Sequence, residues 1–272
     1  MLLLTHAEDL LTVAPAQGGA ILSWTRGGRD VLRAPSPGAA ACFPMVPYCN
    51  RIAHRRFGTH VLAPNFGDHP HAIHGVGWKA AWTVEAETID AATLSLFSNE
   101  DWPFAFAARL TYRLDAAGLT IELAAENRHA AAAPMGIGMH PYFARDARTA
   151  LTFQADGVWH NDATALPVSH GPVPSGWSHA AGRAVDDAPL DNCFTGWAGA
   201  AATARIRIEA DPVFGCLQVY TPAGAGFFCV EPVSHAPDAI NRTLPPGQAM
   251  TILPSGLPAG GTLRGTMRFS PL

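Results

Sequence analysis

Residues 113–123, RLDAAGLTIEL, contain the pattern that decides the fold. From Leu119 to Leu123, aliphatic and polar residues alternate, which indicates a strand with one buried side and one side in solvent. Gly118 precedes this strand and can adopt the positive φ of a tight turn, so the stretch predicts a β-hairpin. The same alternation recurs in two further stretches, residues 82–87 and 205–209.

The composition favours a large all-β protein. The chain has 272 residues, of which 48% are hydrophobic and 15% charged, and this balance excludes an intrinsically disordered protein. Its 26 glycines and 23 prolines indicate many turns and argue against a helical bundle. We expect a large antiparallel β-sandwich formed by one domain over residues 1–272, with residues 167–190 as a long excursion from it.

Charge and cysteine content restrict the partners and the compartment. The net charge of −4 lacks the basic excess of a general nucleic-acid binder, and no apolar stretch reaches the roughly 20 residues of a membrane span. Five cysteines, an odd number without CxxC spacing, are typical of reduced thiols in a cytoplasmic protein. We therefore expect a small-molecule ligand, no nucleic acid and no membrane, and the sequence leaves the oligomeric state open.

Two polar segments interrupt the early strand pattern. Asn50 and Arg51 lie between apolar residues and offer several directed donors for hydroxyls or a carboxylate, although an arginine at a strand end is often only a surface residue. Further along, His69, His71 and His74 suggest a metal site, but their spacing matches no zinc template. His74, next to a glycine, is the better candidate for a hydrogen bond to a ligand.

Two later segments place a titratable side chain at the end of an apolar run. In 135–139, glycines alternate with apolar residues, and His140 follows them on the glycine face, where a ligand or another backbone can approach. Glu231 ends the run Phe227–Val230, and burial would raise its pKa towards values useful in general base catalysis. The alternatives are a structural histidine and a glutamate in water. No nucleotide-binding or GxSxG motif accompanies them, so cofactor-free and metal-free acid–base chemistry is expected.

Five short motifs in order resemble the aldose 1-epimerase (galactose mutarotase-like) family. The motifs span nearly the whole chain and are Asn50-Arg51-Ile52, Ile73-His74-Gly75, His140-Pro141-Tyr142-Phe143, Asp191-Asn192-Cys193-Phe194 and Phe228-Cys229-Val230-Glu231-Pro232. The resemblance implies a large antiparallel β-sandwich, which agrees with the strand pattern. It also implies a cofactor-free isomerase that interconverts the α and β anomers of a free sugar.

The resemblance also implies roles for individual residues. Glu231 matches the general base that takes the proton of the anomeric hydroxyl, and His140 matches the general acid that protonates the ring oxygen. His74 matches a second histidine near the ring oxygen. Arg51 and Asp191 match residues that hold sugar hydroxyls, and we expect the neighbouring Asn50 to help bind the sugar.

The chain departs from the family pattern after Ile52. His54-Arg55-Arg56-Phe57 stand where relatives commonly have a glycine-containing turn, and the two arginines add positive charge near Arg51. An anionic sugar, sulfonated or phosphorylated, is therefore a possible substrate.

Two other functions remain as alternatives. The first is a non-catalytic sugar-binding or sensing module on the same fold, against which the presence of both His140 and Glu231 argues. The second is a metal-dependent β-sandwich or cupin-type enzyme that uses His69, His71 and His74.

Overall fold

The computed structural model describes residues 1–98, 100–146, 148–185, 189–242, 244 and 256–272. Nearly all regular structure within these ranges is β-strand. The strands, in chain order, are β1 (Leu2–His6), β2 (Asp9–Ala14), β3 (Ala20–Arg26), β4 (Arg29–Leu32), β5 (Cys42–Met45), β6 (Arg51–Ile52), β7 (Arg56–Phe57), β8 (His60–Val61), β9 (Ala72–Ile73), β10 (Thr83–Glu87), β11 (Ala91–Ser98), β12 (Phe106–Asp115), β13 (Gly118–Asn127), β14 (Gly138–Ala144), β15 (Ala150–Phe153), β16 (Gly157–Asn161), β17 (Pro167–Pro172), β18 (Arg183–Ala184), β19 (Asp191–Thr195), β20 (Ala200–Ala202), β21 (Ile206–Ala210), β22 (Cys216–Tyr220), β23 (Phe227–Val233) and β24 (Thr262–Pro271).

The helical segments of the described chain are three short 3₁₀ turns. They span Ala53–Arg55, Ser175–Trp177 and Ala239–Asn241. Within the described ranges, no helix has the length and apolar character needed to cross a membrane.

The strands form two large antiparallel sheets. Sheet A has the order β1-β2-β3-β4-β14-β23-β22-β19-β16-β17, with β5 paired to β14 and β3. Sheet B has the order β10-β11-β12-β13-β24-β21-β20-β15-β18. Two small ladders, β6 with β9 and β7 with β8, lie outside the two sheets. The expected antiparallel β-sandwich is confirmed.

One cluster of buried apolar side chains joins the two sheets. Leu11 and Trp24 from sheet A and Leu110 and Phe269 from sheet B all belong to it, and each is fully buried. Burial of one such side chain contributes roughly 1.5–3 kcal/mol relative to exposure, so this shared layer dominates the stability of the sandwich. The Tyr112 hydroxyl also crosses between the sheets and donates to the Gly19 carbonyl at 2.7 Å.

The hairpin predicted from residues 113–123 is confirmed. Strands β12 and β13 pair from Phe106↔Asn127 to Asp115↔Gly118, and Gly118 has a φ of +126°. The alternation at 205–209 is also confirmed, since β21 buries Ile206 and Ile208 and exposes Arg207.

Two sequence expectations need correction. Strand β10 forms at 83–87, but all five of its residues are exposed, because it is an edge strand with an irregular register between Val84 and Ala86. The excursion at 167–190 contains strand β17, which extends sheet A beside β16, and β18, which extends sheet B beside β15. Residues 186–188 of that expectation lie outside the described residues.

Candidate active site

A cavity of about 670 Å³ opens above the middle of sheet A. All six residues singled out in the sequence line it: Asn50, Arg51, His74, His140, Asp191 and Glu231. They come from sequence positions up to 181 apart, so tertiary structure brings them together. The volume lies within the range typical of small-molecule sites.

The floor of the cavity is set by strand register. Strand β14 pairs with β23 through Gly138↔Val233 and Tyr142↔Cys229, and this register brings His140 opposite Glu231. The His140 Nε2 and Glu231 Oε1 atoms are 3.4 Å apart. Both residues are buried, with exposures of 7% and 2%. The alternative that Glu231 is a strand-end carboxylate in water is therefore wrong.

A polar network fixes one side of the cavity. The Arg51 guanidinium donates to Asp191 Oδ2 and to Asn50 Oδ1, both at 3.0 Å. The other carboxylate oxygen of Asp191 accepts from Gln218 Nε2 at 2.7 Å. Arg51 therefore has a paired side chain that is 13% exposed, and it is not the free surface arginine that its position at a strand end allowed.

The β6–β9 ladder positions the first two motifs. Arg51 pairs with Ile73, so His74 follows directly beside the Arg51 strand. Asn50 and His74 both have left-handed backbones, with φ of +54° and +60°, and the His74 amide donates to the Asn50 carbonyl at 2.8 Å. Such strained positions persist where the surrounding structure holds them, and here they flank the cavity.

The Arg51 strand also rests on the segment that follows β23. Asp238 accepts from the Ala53 amide at 2.9 Å, and its own amide donates to the Arg51 carbonyl at 2.7 Å. His235 Nε2 accepts from the Cys49 amide at 3.0 Å. These contacts hold the loop that carries Asn50 and Arg51 against sheet A.

The glycines before His140 serve packing. A Cβ at Gly136 would overlap the His235 ring, and one at Gly138 would lie 2.8 Å from Cys49 Sγ. The sequence correctly indicated a close approach at these glycines. The approaching groups are side chains of the protein itself.

Aromatic rings surround the histidines. The rings of Phe43 and Tyr142 both stack on His140, each with its centroid 4.6 Å from that of the imidazole, and His74 meets the same ring edge-on at 5.0 Å. Trp78 also lines the cavity, and its Nε1 has no hydrogen-bond partner. Packed rings keep water away from the imidazoles and offer apolar faces to a ligand.

Burial shifts the pKa values of the site strongly. Desolvation lowers the pKa of His140 to about 3, with a smaller contribution from the positive charge of Arg51. Desolvation, and then the neighbouring charges of His140 and Arg51, also lower the pKa of His74. The pKa of Glu231 is raised by desolvation and by Asp191, and Arg51 opposes this rise. The buried surroundings therefore favour the uncharged forms of all three groups.

Sequence reasoning missed Gln218, Phe43 and Trp78. Gln218 is a single amide within the apolar strand β22, where it is 1% exposed and lies opposite Glu231. A buried polar residue in an apolar strand is a usable signal, because such a side chain needs a partner. Phe43 and Trp78 gave no such signal, since aromatic residues are common throughout a core.

Other sequence candidates lie away from the cavity. Arg55 and Arg56 are not among its described lining residues, whereas Lys79 is. His69 and His71 pack against one another, with ring centroids 5.3 Å apart, and also lie outside the lining. In the described ranges, the group close enough to hold a metal ion is His140, Cys229 and Glu231, so the alternative of a metal site at the three histidines is not supported.

The fold and this geometry define a class of β-sandwich proteins with a buried histidine–glutamate pair at the floor of a cavity. The family model for aldose 1-epimerase matches residues 1–262. The chain belongs to the aldose 1-epimerase family.

Individual relatives agree with this assignment. The uncharacterized protein YphB of Escherichia coli K12 is 28% identical over 292 aligned residues, covering 91% of this chain and 95% of YphB. A crystal structure of a candidate aldose 1-epimerase from E. coli K12 has a TM-score of 0.88 at 28% identity and covers 99% of this chain and 98% of its own. A galactose mutarotase-like protein from Clostridium acetobutylicum shares the fold, with a TM-score of 0.83 at 18% identity over 99% and 95% of the two chains.

Proposed function

We propose that this protein is an aldose 1-epimerase that interconverts the α and β anomers of a free sugar. The observation that carries the proposal is the His140–Glu231 pair, which is buried, 3.4 Å apart and open to a cavity lined by polar side chains. Mutarotation requires one base and one acid at adjacent oxygens of a hemiacetal, and both must be regenerated in each cycle.

The proton transfers follow from the positions of the two groups. Glu231 accepts the proton of the anomeric hydroxyl while His140 donates a proton to the ring oxygen, and the bond between C1 and the ring oxygen breaks to give the open aldehyde. Rotation about C1–C2 exposes the other face of the carbonyl. Reclosure with the two proton transfers reversed gives the other anomer and restores both side chains.

The remaining polar residues bind and orient the sugar in this proposal. His74 lies beside His140 and faces the ring oxygen, while Asn50, Arg51 and Asp191 hold the hydroxyl groups. The Arg51 Nε atom is buried without a partner, which leaves it free to donate to a sugar oxygen. Positioning of this kind, together with paired proton transfer, supplies the rate without a cofactor.

Exchange NMR of the anomeric protons tests the proposal. We expect the wild type to accelerate anomer exchange, and Glu231→Gln or His140→Asn to lose 10²–10⁴-fold of the rate, as is typical when a general acid or base is removed. Glu87→Gln, on the exposed strand β10, is the matched control and should keep the full rate. A Glu231→Gln variant with the parental rate contradicts the assigned role.

The alternative function is a sugar-binding or sensing module without catalysis. Calorimetric titration with the same sugars separates the two functions. Binding without accelerated exchange favours the module, and binding with exchange that Glu231→Gln abolishes favours the enzyme.

An anionic sugar is the second candidate substrate, and Lys79 is the observation that favours it. Lys79 lines the cavity with its ammonium 4.6 Å from the centre of the Trp78 ring, whereas Arg55 and Arg56 do not line it. A sulfonate or phosphate at the far end of the sugar would therefore meet Lys79.

Substitution of Lys79 decides between neutral and anionic sugars. If the natural substrate is anionic, Lys79→Met should lower kcat/KM for a hexose 6-phosphate or 6-sulfonate about tenfold, the value of one charge-assisted hydrogen bond. Turnover of the neutral hexose should change less than about twofold. Arg56→Met, an exposed cation outside the cavity, is the control. An equal loss with both sugars would count against an anionic substrate.

We also propose a reducing, cytoplasmic environment for the protein. Five buried cysteines form no disulfide bond, which supports this location: Cys42, Cys49, Cys193, Cys216 and Cys229.

A further inference from the structure

Cys229 is a buried thiol beside the reacting pair that the proposed mechanism does not use. It lies two residues before Glu231 on β23, so the two side chains point to the same face of sheet A. Its register partners are Tyr142 on β14 and Tyr220 on β22, and both tyrosines line the cavity. Cys229 itself is fully buried at the floor.

Three ligand atoms converge at this floor. A ring nitrogen of His140, the Cys229 sulfur and a carboxylate oxygen of Glu231 all lie within 4.8 Å of one another. Around one tetrahedral zinc ion, with bonds of about 2.0–2.3 Å, neighbouring ligand atoms are roughly 3.3–3.6 Å apart. Side-chain movements of about 1 Å or less would therefore bring all three atoms within bonding distance of one ion.

A second observation that points to a cation at this place is a carboxylate oxygen of Glu231 that lacks a partner. Glu231 Oε2 is buried and has no hydrogen-bond partner, although the residue is only 2% exposed. Buried carboxylate oxygens normally have a partner, and a cation at this position would supply one. One nitrogen, one sulfur and one oxygen form the donor set of a borderline-soft divalent ion such as Zn²⁺, and they do not suit Mg²⁺ or Ca²⁺.

We propose that His140, Cys229 and Glu231 form an inhibitory binding site for Zn²⁺. The ion takes three protein ligands, and its fourth position faces the cavity, where a water molecule or a sugar hydroxyl can occupy it. On binding, the Cys229 thiol and the His140–Glu231 pair release their protons to solvent, and the thiolate, the carboxylate and the neutral imidazole become ligands. No oxidation or reduction takes place.

Inhibition follows directly from the choice of ligands. The electron pairs that Glu231 and His140 use for proton transfer are occupied by the ion, so the sugar can neither lose nor gain a proton. Because Cys229 has no part in the reaction, it offers a way to remove the metal site and keep catalysis. This inhibitory effect rests on the proposed mutarotase function, while zinc binding itself does not.

The experiment measures binding and activity separately on the full chain without a histidine tag. Zn²⁺ affinity is measured by competition with a chromophoric chelator, and anomer exchange is followed at the same buffered Zn²⁺ concentrations. We expect the wild type to bind one Zn²⁺ and to lose activity in parallel. Cys229→Ala should bind Zn²⁺ at least tenfold more weakly, keep its rate in chelator within about twofold and resist inhibition.

A matched variant and a spectroscopic probe control the experiment. Cys193→Ala removes another buried cysteine of sheet A and should leave Zn²⁺ binding unchanged. Co²⁺ in place of Zn²⁺ should give a thiolate-to-metal charge-transfer band in the wild type and in Cys193→Ala, and no such band in Cys229→Ala.

The possible failures are distinguishable. Equal Zn²⁺ affinity of wild type and Cys229→Ala, or loss of binding in Cys193→Ala, overturns the site. Activation by Zn²⁺, or binding without inhibition, overturns the inhibitory role. If no sugar is turned over at all, the proposed function fails, and the affinity and Co²⁺ measurements still decide whether the metal site exists.

Discussion

The two residues of the proposed acid–base pair differ from an ordinary histidine and glutamate in their affinity for protons. Burial lowers the pKa of His140 to about 3 and raises the pKa of Glu231 well above its ordinary value, so a single proton shared by the pair prefers the carboxyl group. Transfer of this proton across the 3.4 Å separation gives the imidazolium–carboxylate form that starts the reaction. The two forms differ by no net proton, and they therefore titrate together.

This shared proton predicts the pH dependence of kcat/KM. On the acid side, the rate falls only when the pair takes up a second proton, and the low pKa of His140 places this loss well below pH 6.5. On the alkaline side, the rate falls when the pair loses its proton, above the ordinary glutamate pKa, because the pKa of Glu231 is raised. Anomer-exchange NMR from pH 4 to 9, corrected for spontaneous mutarotation, should show no loss between pH 7 and 5. If the rate instead falls as the pH is lowered, with a midpoint near 6.5, the assignment of a single shared proton is contradicted.

Residues of the site differ in how far the sequence predicts them. His140 and Glu231 each stand at the end of an apolar run, which is the signal that singled them out, and both side chains lie at the cavity. The Arg51–Asp191 ion pair joins residues 140 positions apart, and no local pattern contains that pairing. Trp78 is positioned by the turn after β9. The conformation of this turn depends on hydrogen bonds to the Val46 carbonyl, directly after β5.

Among the structural elements, the turn after β9 is the one that orients His74. Gly75 follows His74 with a φ of +75°, and a Cβ there would overlap the Val46 carbonyl oxygen. That oxygen accepts from the amides of Val76 and Gly77, at 2.8 and 2.9 Å. The turn therefore docks on the end of β5 through backbone contacts that only glycine permits.

Substitution of Gly75 tests this docking. Gly75→Ala should lower the free energy of unfolding by about 2–5 kcal/mol, since it adds a left-handed alanine and a backbone overlap. Gly58→Ala has a similar φ of +50° with no atom within 4 Å of the added Cβ, and it should cost only about 1–2 kcal/mol. Urea unfolding followed by tryptophan fluorescence measures both values. Equal costs for the two variants would show that the Val46 contact does not matter.

The local sequence pattern predicted where strands form better than it predicted which of their faces are buried or the order of the strands in a sheet. The β12–β13 hairpin was readable because its two strands are joined by a short turn, and their side chains alternate against the core. Alternation failed at β10, where an edge position leaves both faces in solvent. The order β14-β23-β22-β19 of sheet A places distant segments side by side, and contacts of the assembled sheet determine it.

At the scale of the whole molecule, we propose that residues 1–272 fold as one domain. Both sheets contribute to a single buried cluster, and β24 joins two halves of sheet B by pairing with β13 and β21. A domain with one continuous core unfolds cooperatively.

Calorimetry tests this proposal. The wild type should show one transition with equal calorimetric and van't Hoff enthalpies. Phe269→Ala, in the shared core, should lower the stability by about 3–5 kcal/mol and shift the whole transition. Phe97→Ala, at a 62% exposed position on β11, should leave the transition nearly unchanged. Two transitions, with only one shifted by Phe269→Ala, would indicate separate domains.

The central position of β24 also affects how the protein reaches its folded state during synthesis. Until residues 262–271 have left the ribosome, β13 and β21 each present an edge of unpaired backbone amides and carbonyls. The nascent chain would therefore expose the edge of β13 from the synthesis of residue 127, and the edge of β21 from residue 210, until β24 is added. We expect it to depend on nascent-chain chaperones until this strand is added.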